Sequence, residues 1–387
     1  MSERSAMHQQ IDTLPGLLRE IARPFDESAR AAFSFELCTA VKRIYLVGCG
    51  DSHHAPVGAE LAFHQLAGVP TQALSALPFS RYVVGHLPQT GPQTNLVITV
   101  SVSGVVSRTI EALQLARKAG AVGVALTGTP DAPLAQAAET VFQTTVPPLP
   151  DELRGMVVPG VRSYLASQVG LYLAAIRIGE VRGHLTTADA DVLRAELAGL
   201  ADVLEATITA CEPVAREVMQ TWDDVAEFVY VGAGPMYGAA MFSAAKMLEA
   251  SGDPAMAQDT EEWTHLQYFS ARADTPTVLL SAADYDADRM AEMARAAHVI
   301  GRRVIGVLPQ AETEISAYVQ HKLPVPGTVR ECFAPLIYSV PGSLLAAERA
   351  QAIGAVYFRD FGDGRTVDWA DGASRIRDSH MQDDIRS

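Results

Sequence analysis

Positive charge is scarce in this chain. Lysine and arginine number 30 against 45 aspartate and glutamate, a formal net charge of −15 over 387 residues. That sign disfavours nucleic acid and anionic membrane surfaces, which bind by neutralising phosphates with Lys and Arg. An anionic ligand would have to be held by local donors. Cysteine is scarce too: Cys38, Cys49, Cys211 and Cys332, with no Cys-x-x-Cys pair. The expectation is four reduced, mostly buried thiols in a cytoplasmic protein. No apolar run reaches the ~18 residues of a membrane helix, and Met1–Gln10 is polar, without the apolar stretch of a secretory signal. No Gly-x-Gly-x-x-Gly follows a strand, so nothing points to a dinucleotide, and no cofactor or metal is expected.

What is present suits a well-buried globular protein: 48% hydrophobic and 19% charged residues. Short β-rich runs alternate with helical patterns. Arg43–Gly48 ends in Gly48-Cys49-Gly50 and precedes a helix expected over 52–66. Asn95–Val100 runs into Ser101-Val-Ser-Gly104 and a helix over 106–119. Further strands are expected over 122–126 and 140–145. Strands alternating with helices of 12–15 residues imply a parallel sheet covered on both faces. The pattern then begins again, with strand 227–232 ending in Gly232-Ala-Gly234, helix 236–250, strands 278–281 and 304–307, and a closing helix 333–353. "RIYLVGCGDS" answers "EFVYVGAGPM", and "NLVITVSVSG" answers "TVLLSAADYD", which reads as a tandem duplication. The expected organisation is an N-terminal helical segment 1–35, a first α/β domain 36–185, a helical linker 186–225, a second domain 226–353 and a tail 354–387.

Open parallel sheets bind ligands beyond the carboxyl ends of their strands. In the first unit those ends carry Asp51 and Ser52, and Ser101, Ser103, Gly104 and Ser107. A small-residue loop opening a helix offers backbone N–H groups, the positive helix end and serine hydroxyls, enough to hold an anion without Lys or Arg. The same residues also suit an ordinary cap with no ligand. In the second unit Lys246 and Glu249 lie three apart on one helix face. His265 follows in Glu261-Glu262-Trp263-Thr264-His265, near Tyr268 and Phe269.

These stretches together resemble the sugar isomerase (SIS) family, in layout the isomerase half of glucosamine-6-phosphate synthase and the stand-alone isomerases, deaminases and deglycases related to it. "MHQQIDTLPGLLRE", "YLVGCGDSHHA", "ITVSVSGVVSRTIEAL", "AAKMLEAS" and "EEWTH" fall in the family's order, from about residue 7 to 355. The resemblance implies two tandem SIS units, each a parallel sheet flanked by helices in a flavodoxin-like three-layer sandwich. It implies that Ser52, Ser101, Ser103 and Gly104 hold an anionic sugar terminus. Glu249 falls on the proton-transfer carboxylate, Lys246 on a lysine of the same helix, and His265 on the histidine linked to ring opening. In the synthase that histidine reaches across from the other subunit, which implies a homodimer with a shared site. The synthase's glutaminase domain is absent from this sequence, so ammonia transfer from glutamine is not expected.

The departures bear on the ligand. The family's Thr after Cys-Gly is Asp51, and its Gln, Glu and Thr in the serine loop are Val102, Val105 and Val106. A dianionic phosphate should fit less well. Ser107, Arg108, Thr109 and Arg162 are candidates to compensate; where the family's tail brings a lysine to the site, this chain offers Arg375 or Arg377, and Glu262 is placed at the sugar. The implied function is isomerisation of a hexose with an anionic terminus by enediol proton transfer. The alternatives are an amino-sugar-phosphate deaminase or deglycase, an isomerase of a sulfonated sugar such as sulfoquinovose, and a sugar-phosphate sensor without catalysis.

Overall fold

The computed structural model describes residues 4–149, 151–153, 155–222, 224–225, 227–270, 272–362 and 379–385. They form two five-stranded parallel sheets with the same strand order. The first contains β1 (Arg43–Gly48), β2 (Thr71–Ser75), β3 (Asn95–Val100), β4 (Val122–Thr127) and β5 (Thr140–Gln143), in the order β2-β1-β3-β4-β5. The second contains β6 (Phe228–Gly232), β7 (Ala255–Asp259), β8 (Pro276–Leu280), β9 (Arg303–Pro309) and β10 (His321–Val325), in the order β10-β9-β8-β6-β7. Read outward from its first strand, each sheet is 2-1-3-4-5, the doubly wound order in which the chain reverses direction between its first and third strands. Register is continuous across that reversal: Ile44 pairs Thr71 on one side and Leu96 on the other.

The sequence explains the layers. Every residue of β3, β4, β6 and β8 is buried. Such strands read as continuous apolar runs because helices cover both faces. One face of the second sheet packs Val229, Val231 and Leu279 against Trp263, Met290 and Met293. One face of the first packs Tyr45, Val47 and Val97 against Phe79, Leu115 and Ala116. Burial also raises the thiols of Cys38, to about 11, and of Cys211, and none of the four cysteines is in a disulfide.

Some elements lie outside the sequence expectation. Strands β7 and β10 are absent from it, because both are edge strands without a long apolar run; in β7 no residue is fully buried. The helix after β1 covers Asp51–Ala62 and passes into a wider turn, Phe63–Ala67. By packing, residues 17–147, 163–198, 361–362 and 379–385 form one compact unit around the first sheet. Residues 1–16, 148–162 and 199–360 form the other, around the second sheet. The N-terminal segment is thus divided at residue 16, and the helical stretch after the first sheet at residue 198.

Candidate active site

In the first unit the carboxyl ends of β1 and β3 are neighbours at the point of reversal. Gly48 ends β1, and a Cβ there would stand 1.9 Å from the Ser52 carbonyl oxygen. Only glycine lets helix 51–62 start so close to its strand. Asp51 and Ser52 are therefore held, half-buried, in the first turn of that helix. Beyond β3, the buried Ser101 closes a tight turn: its N–H donates to Leu126 O (3.0 Å), and its Oγ accepts from Gly104 N–H (3.2 Å). Gly104 has φ +65°, and a Cβ there would meet Ala132 Cβ at 2.5 Å. Ser103 stands exposed at the tip. Val106 precedes helix Ser107–Lys118 and has no oxygen with which to cap it. The positive end of this helix faces the turn with no side-chain cap. Thr109 Oγ1 reaches Cys49 Sγ at 3.7 Å, joining the two strand ends.

The sequence did not single out the groups around Asp51. His54 Nδ1 stands 3.6 Å from Asp51 Oδ1, one helical turn away. Burial holds the His53 imidazole down at about 4, so it is neutral near pH 7. Tyr164, wholly buried and bonded by Gln168 Nε2 at 2.9 Å, is raised by burial and by the Asp51 charge. The i,i+3 spacing of Asp51 and His54 was the available signal.

The tail occupies part of this neighbourhood. Ser379 Oγ lies 2.8 Å from Ser107 Oγ, and Arg108 Nη2 donates to Ser379 O (3.3 Å) and Oγ (3.2 Å). Arg108 also pairs with the fully buried Glu111, whose carboxylate accepts from Gln382 N–H (3.1 Å). Arg108, proposed from sequence as an anion donor, is thus engaged by Glu111 and the tail. Arg162 is buried and donates from Nη1 to Thr13 Oγ1 at 2.7 Å. Arg375 and Arg377 lie outside the described residues.

Lys246 and Glu249 sit on helix Pro235–Ser251, which follows β6. The Lys246 side chain is 0% exposed, packs over Phe242 at 4.9 Å and pairs with the Glu249 carboxylate. Glu249 is 31% exposed, so the paired carboxylate keeps an open side. His265 is on helix Thr260–His265, capped by Asp259 accepting from Glu261 N–H at 2.8 Å. Buried Trp263 anchors this helix, and Glu262 and His265 face outward. The His265 side chain is 67% exposed and lies 3.0 Å from Glu261 Oε1. Glu249 precedes β7 and His265 follows it, so the structure places them at opposite ends of that strand.

Elsewhere in this unit, His8, Glu212 and Glu348 bring ligand atoms within 4.8 Å of one another. Arg4 holds Glu212 at 2.7 Å and Arg216 holds Glu348 at 3.2 Å, so the cluster is a satisfied ion network. Among the described residues no helix is long and apolar enough to cross a membrane.

The sequence family described as "SIS domain" matches residues 38–177. The glutamine–fructose-6-phosphate aminotransferase (isomerizing) of Gloeobacter violaceus is 28% identical over 352 residues, covering 89% of this chain and 55% of that protein. The enzyme of the same name from a Nostoc species is 25% identical, covering 88% and 55%. The chain thus spans about half the length of the curated relatives it matches. Among solved structures, the C-terminal domain of glucosamine-fructose-6-phosphate aminotransferase from Francisella tularensis superposes with TM-score 0.75 at 19% identity, over 92% of this chain and 98% of that one. The tagatose-6-phosphate ketose/aldose isomerase of Escherichia coli gives 0.70 at 17%, over 90% and 93%. Sequence match and shared architecture agree: residues 38–177 match the SIS domain, and the two parallel sheets have the architecture of tandem SIS units.

Proposed function

We propose that the chain is an aldose–ketose isomerase acting on a hexose with an anionic terminus, with Glu249 as the proton-transfer base. The observation that carries this is the Lys246–Glu249 pair: a fully buried ammonium beside a carboxylate that keeps an open side. In an enediol mechanism one carboxylate takes a proton from one carbon and returns it to its neighbour. Lys246 keeps that carboxylate ionised and steadies negative charge developing nearby. The turn Ser101–Ser107 and the start of helix 51–62 supply hydroxyls and helix N-termini for the anionic end. His265 would open the sugar ring, an acid–base task suited to imidazole near neutral pH. Its exposure, beside exposed Leu266 and Phe269, supports a homodimer in which it serves the neighbouring subunit's site.

A sulfonated hexose is the second reading, and Asp51 favours it. A carboxylate in the anion-holding turn penalises a dianionic phosphate more than a monoanionic sulfonate, and Arg108 is engaged elsewhere. The test is incubation with hexose 6-phosphates, their 2-amino analogues and a 6-sulfonated hexose in deuterated water. Deuterium at C1 or C2 of one member supports the reading. Ammonia release would convert it to a deaminase, and no exchange with any would refute it.

A further inference from the structure

The second unit has its own cavity, apart from Lys246, Glu249 and His265. It measures about 690 Å³ and is lined by the polar Gln310, Thr328 and Tyr338, with Ala282, Pro309 and Val329 among its apolar walls. That is the size of a small-molecule pocket. Ala282 follows β8, Gln310 follows β9 and Thr328 follows β10, so it opens beyond the carboxyl ends of three adjacent strands, where open α/β sheets hold ligands.

Its chemistry differs from that of the serine turn. Among the described residues, neither lysine nor arginine lines it. Lys322, near the start of β10, donates to the carbonyls of Gln310 (3.0 Å) and Glu312 (2.6 Å) and faces the Glu312 carboxylate. Arg330 follows the lining loop but is not part of the lining. Behind the cavity lie carboxyl groups. Asp286 accepts from Ser281 Oγ at 2.7 Å through one oxygen, while its other oxygen is buried without a hydrogen-bond partner. Glu331, 6% exposed, accepts from Tyr285 N–H at 3.0 Å. Burial raises both carboxyls, and Asp284 adds to the raising of Glu331. Tyr338, 2% exposed, is raised by burial and by both carboxylates, so its hydroxyl keeps its proton.

We infer that this cavity is a second ligand site, and that it takes a small hydroxylated amine rather than a phosphate ester. Gln310, Thr328 and the Tyr338 hydroxyl match hydroxyl groups. The carboxyls behind them favour a positive charge and oppose a negative one.

The probes are D-glucamine, sorbitol and sorbitol 6-phosphate: one open-chain polyol carrying an ammonium, no charge or a phosphate. Titration calorimetry on the full chain at pH 7.5 should rank them in that order, with D-glucamine about tenfold tighter than sorbitol. Gln310 and Thr328 are both exposed, so Gln310→Ala and Thr328→Val should fold, each weakening D-glucamine about three- to tenfold. Tyr338→Phe keeps the buried ring and removes only the hydroxyl. Ser103→Ala, in the serine turn, should leave D-glucamine affinity unchanged. Four results would overturn the inference: no heat with D-glucamine, sorbitol 6-phosphate binding as tightly as D-glucamine, affinity indifferent to Gln310→Ala and Thr328→Val, or binding lost in Ser103→Ala.

Discussion

Two loops occupy the same place in the two sheets: 101–106 after β3 and 281–286 after β8. Each leaves the carboxyl end of a buried central strand and leads into a helix that no side chain caps. In each, a buried serine closes the turn by accepting a backbone N–H, Gly104 for Ser101 and Ala283 for Ser281. Beyond that the chemistry diverges. The first loop continues Val-Ser-Gly-Val-Val, without charge; the second continues Ala-Ala-Asp-Tyr-Asp and is backed by Glu331. One backbone scaffold thus leaves a helix N-terminus free of nearby carboxylates on its loop in one unit and faces it with carboxyl groups in the other. The strand order specifies where a ligand goes, and the side chains on the loop specify its charge.

That contrast can be broken by exchanging signs. Ser103→Asp gives the first loop the charge of the second, and anion affinity should fall about 100-fold, read by titration with the true substrate. An unchanged affinity would detach this loop from the anion.

The two helix starts differ in acid response, because His53 in the first unit stands where the second has Tyr237. The His53 imidazole is lowered from 6.5 to about 4 by burial. As pH falls below 6.5 the unfolded chain takes up the proton before the folded one. Its share of stability is therefore complete above about 6.5 and declines toward 4, by on the order of 2 kcal/mol once partial exposure is allowed for. His53→Gln should flatten that part of the acid unfolding profile.

Asp51→Thr removes the carboxylate from the first anion turn and should tighten a dianionic ligand about tenfold, with a smaller gain for a sulfonate. Equal gains would mean that Asp51 does not face the terminus. The smallest effect is expected from Asp286→Asn. Because burial raises that carboxyl, its ionisation costs stability as pH rises past the ordinary carboxylate range. The variant should melt slightly higher than the parent at pH 8 and show no gain at pH 4.

Much of this was legible in the sequence because the central strands are apolar runs ending in Gly or Ser. Burial on both faces writes itself into composition, so the strands at 43–48, 95–100 and 228–232 stand out. Edge strands obey no such constraint, and Ala255–Asp259 and His321–Val325 look like loops. The serine turn and the Lys246–Glu249 spacing were readable as local patterns. The Asp51–His54 pair was readable in principle from its i,i+3 spacing. The cavity beyond β8, β9 and β10 was not, since its lining comes from three strand ends and one helix far apart in sequence. The hold of Ser379 on Ser107 and Arg108 likewise spans 272 and 271 residues, beyond any local rule.

The most direct test of the whole account is Glu249→Gln. Removing the carboxylate beside a fully buried ammonium should lower stability by about 1–3 kcal/mol, so the melting temperature is compared with and without ligand for each protein. The account predicts that the substrate still raises the melting temperature of the variant, while deuterium incorporation at C1 or C2 falls at least about 1000-fold. Incorporation at the parent rate, in a variant that still binds, would contradict it.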